Sequence, residues 1–226
     1  MLYPRRCPLC DGVMGIREGI VCGDCRKKVH FLQQPLCMRC GRPLADDTEE
    51  FCPDCRDRCR FFIRGFAPFA YEGDIRDSIL RLKYGHRAEY AKFYARAAAV
   101  FGRDLLLEWN LQAIIPIPVH LDRKIRRGYN QAECFATELS KITGIPVLSA
   151  LRRVHSTRPQ KELGSGERRR NLVHAFRADP RAEVPERVLI ADDIFTTGAT
   201  VDAAAAVLMR AGAEKIYFVC ASIAPG

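Results

Sequence analysis

The sequence predicts an α/β protein, a parallel sheet flanked by helices, preceded by a small N-terminal module stapled by metal. Three observations carry this expectation. Val188, Leu189, Ile190 and Ala191 form an apolar run without alternation, as a central parallel strand covered on both faces requires. From residue 61 onward, apolar patterns of helical and strand type follow one another as in α/β proteins. Before residue 61, cysteines and turn residues replace large aliphatics, and a segment so poor in core material needs a staple to fold. The expected division is therefore residues 1–60 and 61–226.

The staple is legible in the spacing. Cys7, Cys10, Cys22 and Cys25 recur, each displaced by 30 positions, as Cys37, Cys40, Cys52 and Cys55. Each Cys-x-x-Cys knuckle presents two thiolates to one ion, and two knuckles complete a closed four-cysteine zinc site. Two units imply two structural Zn2+ ions. Joining neighbouring knuckles is the simpler arrangement, although spacing alone also allows the 7/10 knuckle to join 37/40. A disulfide framework suits a secreted chain. The N-terminus, Met-Leu-Tyr-Pro-Arg-Arg-Cys, has no apolar signal core, so the expected compartment is the reducing cytoplasm. Cys59, Cys134 and Cys220 fall outside the repeat and read as incidental thiols.

Composition narrows the partners. With 48% hydrophobic and 28% charged residues the chain is a folded globular protein. No run approaches the roughly 18 apolar residues of a membrane span. The net charge of +9 points to anions, either small phosphates or nucleic acid.

After residue 60, Phe61 to Tyr71 reads as extended, with Pro68 confining part of it to a bend or an edge. A helix is expected from Asp74, as N-cap, to Tyr84, with Ile75, Ile79, Leu80 and Leu82 inward. A second, unbroken, should run from Ala88 to Trp109. Leu111 to Pro118 is the next strand, and its two prolines end it. The four cations Arg123, Lys124, Arg126 and Arg127 then stand ahead of a helix that continues to Thr143. Cations avoid a helix N-terminus, so this placement implies an anion nearby.

Residues 152–173 carry seven cations against Glu162 and Glu167, a net +5 in a stretch with little apolar content. A long basic loop of this kind reads as a lid or as a solvated excursion. The Val188–Ala191 strand leads instead into chemistry. Asp192 and Asp193 fall at its carboxyl edge, where ligands of open α/β sheets collect. Thr196, Thr197, Gly198 and Thr200 then open an Ala-rich helix, so that N–H groups and hydroxyls converge where the helix dipole favours an anion. A strand from Lys215 to Ile223 closes the pattern.

The stretch Val188 to Thr200 resembles the 5-phosphoribosyl-1-pyrophosphate (PRPP) signature of type I phosphoribosyltransferases. Taken with the eight cysteines, Pro116-Ile-Pro-Val-His120, Arg127-Gly-Tyr-Asn-Gln131, Gln160-Lys161, Glu167-Arg-Arg-Arg-Asn-Leu172 and the Asp-Asp loop, in that order, the chain resembles the ComF family of competence proteins. The resemblance spans nearly the whole chain. It implies a double zinc ribbon fused to a type I phosphoribosyltransferase-like domain, cytoplasmic and associated with uptake of single-stranded DNA. It implies that Asp192 and Asp193 hold the ribose hydroxyls of Mg2+-bound PRPP, and that Phe195, Thr196, Thr197, Gly198, Ala199 and Thr200 clasp its 5′-phosphate. Pro118, Val119 and His120 would form the pyrophosphate loop. Arg123, Arg127, Lys161, Arg168 and Arg169 would supply the basic segment and lid. A phosphoribosyltransferase should release pyrophosphate, whereas a catalytically silent PRPP sensor would bind ligand and nucleic acid only.

Overall fold

The computed structural model describes residues 4–15, 18–154 and 175–225. Its centre is a parallel sheet of β1 (Arg64–Phe66), β2 (Phe69–Ala70), β3 (Ala113–Pro116), β6 (Arg187–Phe195) and β7 (Lys215–Ile223). The strand order is β1-β7-β6-β3, with β2 also on β7, and every pairing is parallel. Two long strands, β6 and β7, are the middle of the sheet. Both are almost wholly buried, as a parallel sheet covered on both faces demands.

Short helices α1 (Gly23–Lys28) and α2 (Pro53–Arg56) belong to the cysteine module, and α3 (Gly73–Tyr84), α4 (Ala91–Phe101), α5 (Arg103–Glu108), α6 (Leu121–Arg127), α7 (Gln131–Thr143) and α8 (Ala199–Arg210) surround the sheet. Alternation along β6 separates two cores. Leu189 and Ala191 pack with residues of α3, α4 and α7, whereas Val188 and Ile190 pack with α8. The cysteine module divides in the same way. Cys7, Leu9, Met14 and Cys25 join the first core, and the four cysteines of the second repeat join the other. The two ribbons thus lie against opposite faces of one sheet.

Several elements differ from the sequence expectation for identifiable reasons. The Phe61–Tyr71 segment is two short strands, because Pro68 cannot donate a ladder bond. The N-cap of α3 is Glu72 rather than Asp74, without a side-chain capping bond. The stretch from Ala88 to Trp109 is broken into a 3₁₀ turn at Ala88–Tyr90, then α4 and α5. The second break falls at Gly102, where a Cβ would stand 2.0 Å from the Phe66 ring. Trp109 is a packing residue, stacked on Tyr217 at 4.3 Å.

The basic segment also needs correction. Arg123 to Arg127 belongs to a helix of its own, α6, which Gly128 ends in the left-handed conformation. Lys124, Arg126 and Arg127 therefore occupy its last turn, where the dipole favours cations. The inference of an anion from charges set against a dipole falls away. Strand β6 runs on to Phe195, so Asp192 and Asp193 lie within the strand and not beyond its end.

An antiparallel pair, β4 (Leu151–Arg153) and β5 (Phe176–Ala178), brackets residues 155–174. The expected lid residues Lys161, Arg168 and Arg169 lie outside the described residues.

Candidate functional site

The site is built on the carboxyl end of β6. Asp192 and Asp193 are buried, at 8% and 6% exposure, and successive strand residues send their side chains to opposite sides. Burial pushes the Asp192 carboxyl well above its usual range, and the neighbouring Asp193 charge adds to this. Asp192 Oδ1 accepts the backbone N–H of Asp193 at 2.8 Å. Across the sheet Asp192 stands beside Cys220, whose thiol is also pushed up, first by burial and then by the two carboxylates.

A cation meets the acids that nothing in the sequence had singled out. Lys83, at the end of α3, places Nζ 3.0 Å from Asp193 Oδ2. Burial, the largest single influence, drives the Lys83 ammonium pKa down, yet its contact with Asp193 and the charges of Asp193 and Asp192 together outweigh it and the net shift is upward. Asp193 Oδ2 accepts no directed hydrogen bond among the described residues, so the contact is one of charge.

The motif from Arg127 to Gln131 fixes Lys83 in place. The Tyr129 hydroxyl donates to the Leu82 carbonyl at 2.5 Å, and the Arg127 guanidinium lies 4.7 Å from the centre of the Tyr84 ring. Arg127 also donates to Gln131 Oε1 at 2.9 Å. Asn130 caps α7 through Ala132 N–H and donates to the Ile117 carbonyl at 3.0 Å, so the segment after β3 is anchored as well. Arg127 therefore contacts α3 and α7, and no contact joins it to the acids among the described residues.

Arg153, at the end of β4, feels the Asp192 charge and the like charge of Arg123, and burial is the main cause of its lowered pKa. Arg123 is thereby placed near Arg153. Pro118, Val119 and His120 are half-buried between β3 and α6. His120 serves α6 as N-cap, with Nδ1 accepting the Asp122 N–H at 3.4 Å.

The loop after β6 turns at Gly198, with φ of 77°. A side chain there would meet the Phe195 ring at 2.7 Å, so glycine is required twice over. Thr196 is exposed, and Thr197, Ala199 and Thr200 are half-buried. Gly198 itself gives α8 no side-chain cap, while Thr197 Oγ1 accepts the Ala199 N–H at 3.4 Å, and the later N–H groups of the first turn are left for other acceptors. Phe195 differs from its neighbours. Its ring is in the core, stacked on Phe218 at 4.6 Å, and its carbonyl accepts Ala224 N–H. A ligand could meet only its main chain.

The eight cysteines form two tetrads, Cys7/Cys10/Cys22/Cys25 and Cys37/Cys40/Cys52/Cys55, with the sulfurs of each within 4.8 Å of one another. The neighbouring-knuckle arrangement is the observed one. The repeat is structural too: Cys7 N–H donates to Gly12 O and Cys37 N–H to Arg42 O, and Cys22 and Cys52 each begin a short helix. Contacts of 3.8 Å for Cys10–Cys22 and 3.7 Å for Cys40–Cys52 match the edge of about 3.8 Å in a tetrahedron with Zn–S of about 2.3 Å. In the buried second tetrad, hydrogen bonds from Cys40 and Cys55 hold Cys37 far below the usual thiol range, while Cys40 is pushed up. Such a cluster suits a divalent cation, and both tetrads are structural zinc sites.

Residues 1–56 match the family described as a double zinc ribbon domain. Competence protein F of Haemophilus influenzae is 31% identical over 217 residues, covering 93% of each chain. The chain belongs to the ComF family. The DNA utilization protein YhgH of Salmonella typhimurium is 29% identical to this ComF protein over 232 residues, covering 97% of each. A purine phosphoribosyltransferase from Pyrococcus horikoshii overlaps 58% of the ComF chain and 74% of its own, at 20% identity and a TM-score of 0.35. That overlap is too loose to bear on function.

Proposed function

We propose that this ComF protein binds PRPP with Mg2+ at the end of β6 and serves the uptake or use of single-stranded DNA in the cytoplasm. Residues 61–226 form the ligand domain in this reading and residues 1–60 its zinc module. The observation that carries it is the buried Asp192–Asp193 pair, separated only by Ile194 and Phe195 from a Thr-Thr-Gly turn at the start of α8. Carboxylates accept from the two ribose hydroxyls, and the turn offers N–H groups and hydroxyls to the 5′-phosphate. The names of the relatives supply the DNA context. Among the described residues no helix is long and apolar enough to cross a membrane.

Asp193 is shared with Lys83, and Asp192 is driven toward its neutral form. These residues fit a magnesium that arrives on the ligand's own oxygens, where it would neutralise pyrophosphate charge. In a transfer reaction the C1–O bond to pyrophosphate breaks and the pyrophosphate keeps the bonding pair. The lone pair of an acceptor nitrogen forms the new C1–N bond, and the nitrogen's proton passes to water. The protein's part is to orient the ribose through the acids and to offset charge through cations such as Arg123 and Arg153. A second reading, a sensor that binds PRPP without turnover, is favoured by the Lys83 ammonium already seated on Asp193. Pyrophosphate release distinguishes the two.

Calorimetric titration with PRPP and Mg2+ tests the site. Wild type should bind, and the Asp192→Asn/Asp193→Asn variant should bind at least about tenfold more weakly, as expected for lost hydrogen bonds to charged groups. Equal affinity in the variant would show that the acids do not face the ligand.

A further inference from the structure

Two arginines tie the second ribbon to the outer side of the loop at 196–198. Arg42 follows the first knuckle of that ribbon and is buried, with 7% exposure. Its Nη2 donates to the Thr196 carbonyl, and its Nη1 to Asp54 Oδ2 at 3.1 Å. Asp54 itself lies inside the Cys52–Cys55 knuckle. Arg60 leaves the same ribbon with its side chain only 1% exposed. Its Nη2 donates to the Thr197 carbonyl at 3.0 Å and the Asp54 carbonyl at 3.3 Å, and its Nη1 donates to Asp202 Oδ2 at 2.5 Å. Asp202 stands in the first turn of α8, and its Oδ1 accepts Phe61 N–H at 3.2 Å.

We propose that the second zinc ribbon is a scaffold for the phosphate loop, with Arg42 and Arg60 as positioning residues that hold its carbonyls outward. The inference rests on the reading of that loop as the seat of a sugar phosphate, and it assigns the ribbon a role in recognition of the 5′-phosphate. The physical reason lies in the peptide unit. Its C=O and N–H point in opposite directions, so a carbonyl held by a guanidinium on one side leaves the adjoining N–H on the other. A carbonyl turned inward would repel the anion. Charge-assisted bonds are roughly twice as strong as neutral ones, and burial keeps water from competing for these. The arrangement also explains part of the demand for glycine, because a Cβ at Gly198 would lie 2.9 Å from Arg60 Nη1.

Arg42→Met is the informative change. It keeps the apolar stem and removes the donors, while Asp54 retains Arg58 at 3.1 Å. Hydrogen exchange of peptides covering residues 194–203 should rise about tenfold in Arg42→Met, with β7 unchanged and two zincs retained. Arg42→Lys, which restores one charged donor, should recover part of the protection. Calorimetry with ribose 5-phosphate should show about tenfold weaker binding in Arg42→Met, and pyrophosphate binding should be unaltered. Unchanged exchange in the loop, or equal weakening toward both ligands, would overturn the scaffold role. Should Arg42→Met lose zinc or its cooperative melt, the same two readings on Arg42→Lys decide the question. If wild type binds neither compound, the proposed ligand fails, and the exchange data still show whether the arginines hold the loop.

Discussion

At the acid pair, two carboxylates and one ammonium share a buried edge, and their charges respond to pH in related ways. Asp192 has a raised pKa in the folded chain. Its contribution to stability is full below the unfolded value and declines as pH rises toward the folded one. Lys83 is also raised, so its contribution persists through neutral pH and is lost only as pH climbs through its alkaline pKa. Lys83→Met leaves the Asp193 charge buried without its counter-ion. We expect it to lower stability by about 3 kcal/mol in urea unfolding at neutral pH, with the gap to wild type closing above about pH 10. A gap independent of pH would assign the loss to packing. Asp192, Asp193 and the glycine turn were legible in the sequence because one short run carries all of them. Lys83 was not, since only the fold brings the end of α3 to the end of β6. The signal that could have found it was its place beside the Arg127–Gln131 motif, whose tyrosine and arginine hold α3.

Periodicity identified the helices and central strands at the element scale, yet missed where they divide. A repeat of apolar positions reports which face is buried and says nothing of a neighbour's ring pressing through the backbone. Gly102 is such a place. Its lack of a side chain lets Phe66 reach between α4 and α5, against Trp109 at 5.9 Å. Gly102→Ala should therefore destabilise the chain by about 1–3 kcal/mol through overpacking, although alanine is the better helix former. Chemical denaturation measures this, and a stabilised variant would show that Phe66 has room to move. The division of α6 from α7 was equally hidden. Gly128 and Asn130 are a stop and a start two residues apart, and a continuous basic-then-apolar pattern masks both.

The two ribbons should make the whole molecule unfold cooperatively, as a tethered metal module would not. The first packs Cys7 and Cys25, and the second all four of its cysteines, into cores shared with the sheet, one per face. Removing zinc should accordingly destabilise the sheet as well as the ribbons. In calorimetric scans with a strong chelator we expect one transition at a lower Tm, with each kcal/mol lost costing roughly 2–4 °C in a chain of this length. A sheet that melts at its original temperature after zinc loss would show that the ribbons only decorate it. The 30-residue repeat foretold the tetrads, but not that they would embrace the sheet from both sides.

The pairing of β4 with β5 has a practical corollary. Val154 N–H donates to the Ala175 carbonyl at 3.0 Å, so the two residues that flank 155–174 lie side by side. A two-residue hairpin could bridge those ends, yielding a shortened protein in which everything the twenty intervening residues add, and nothing else, has been subtracted.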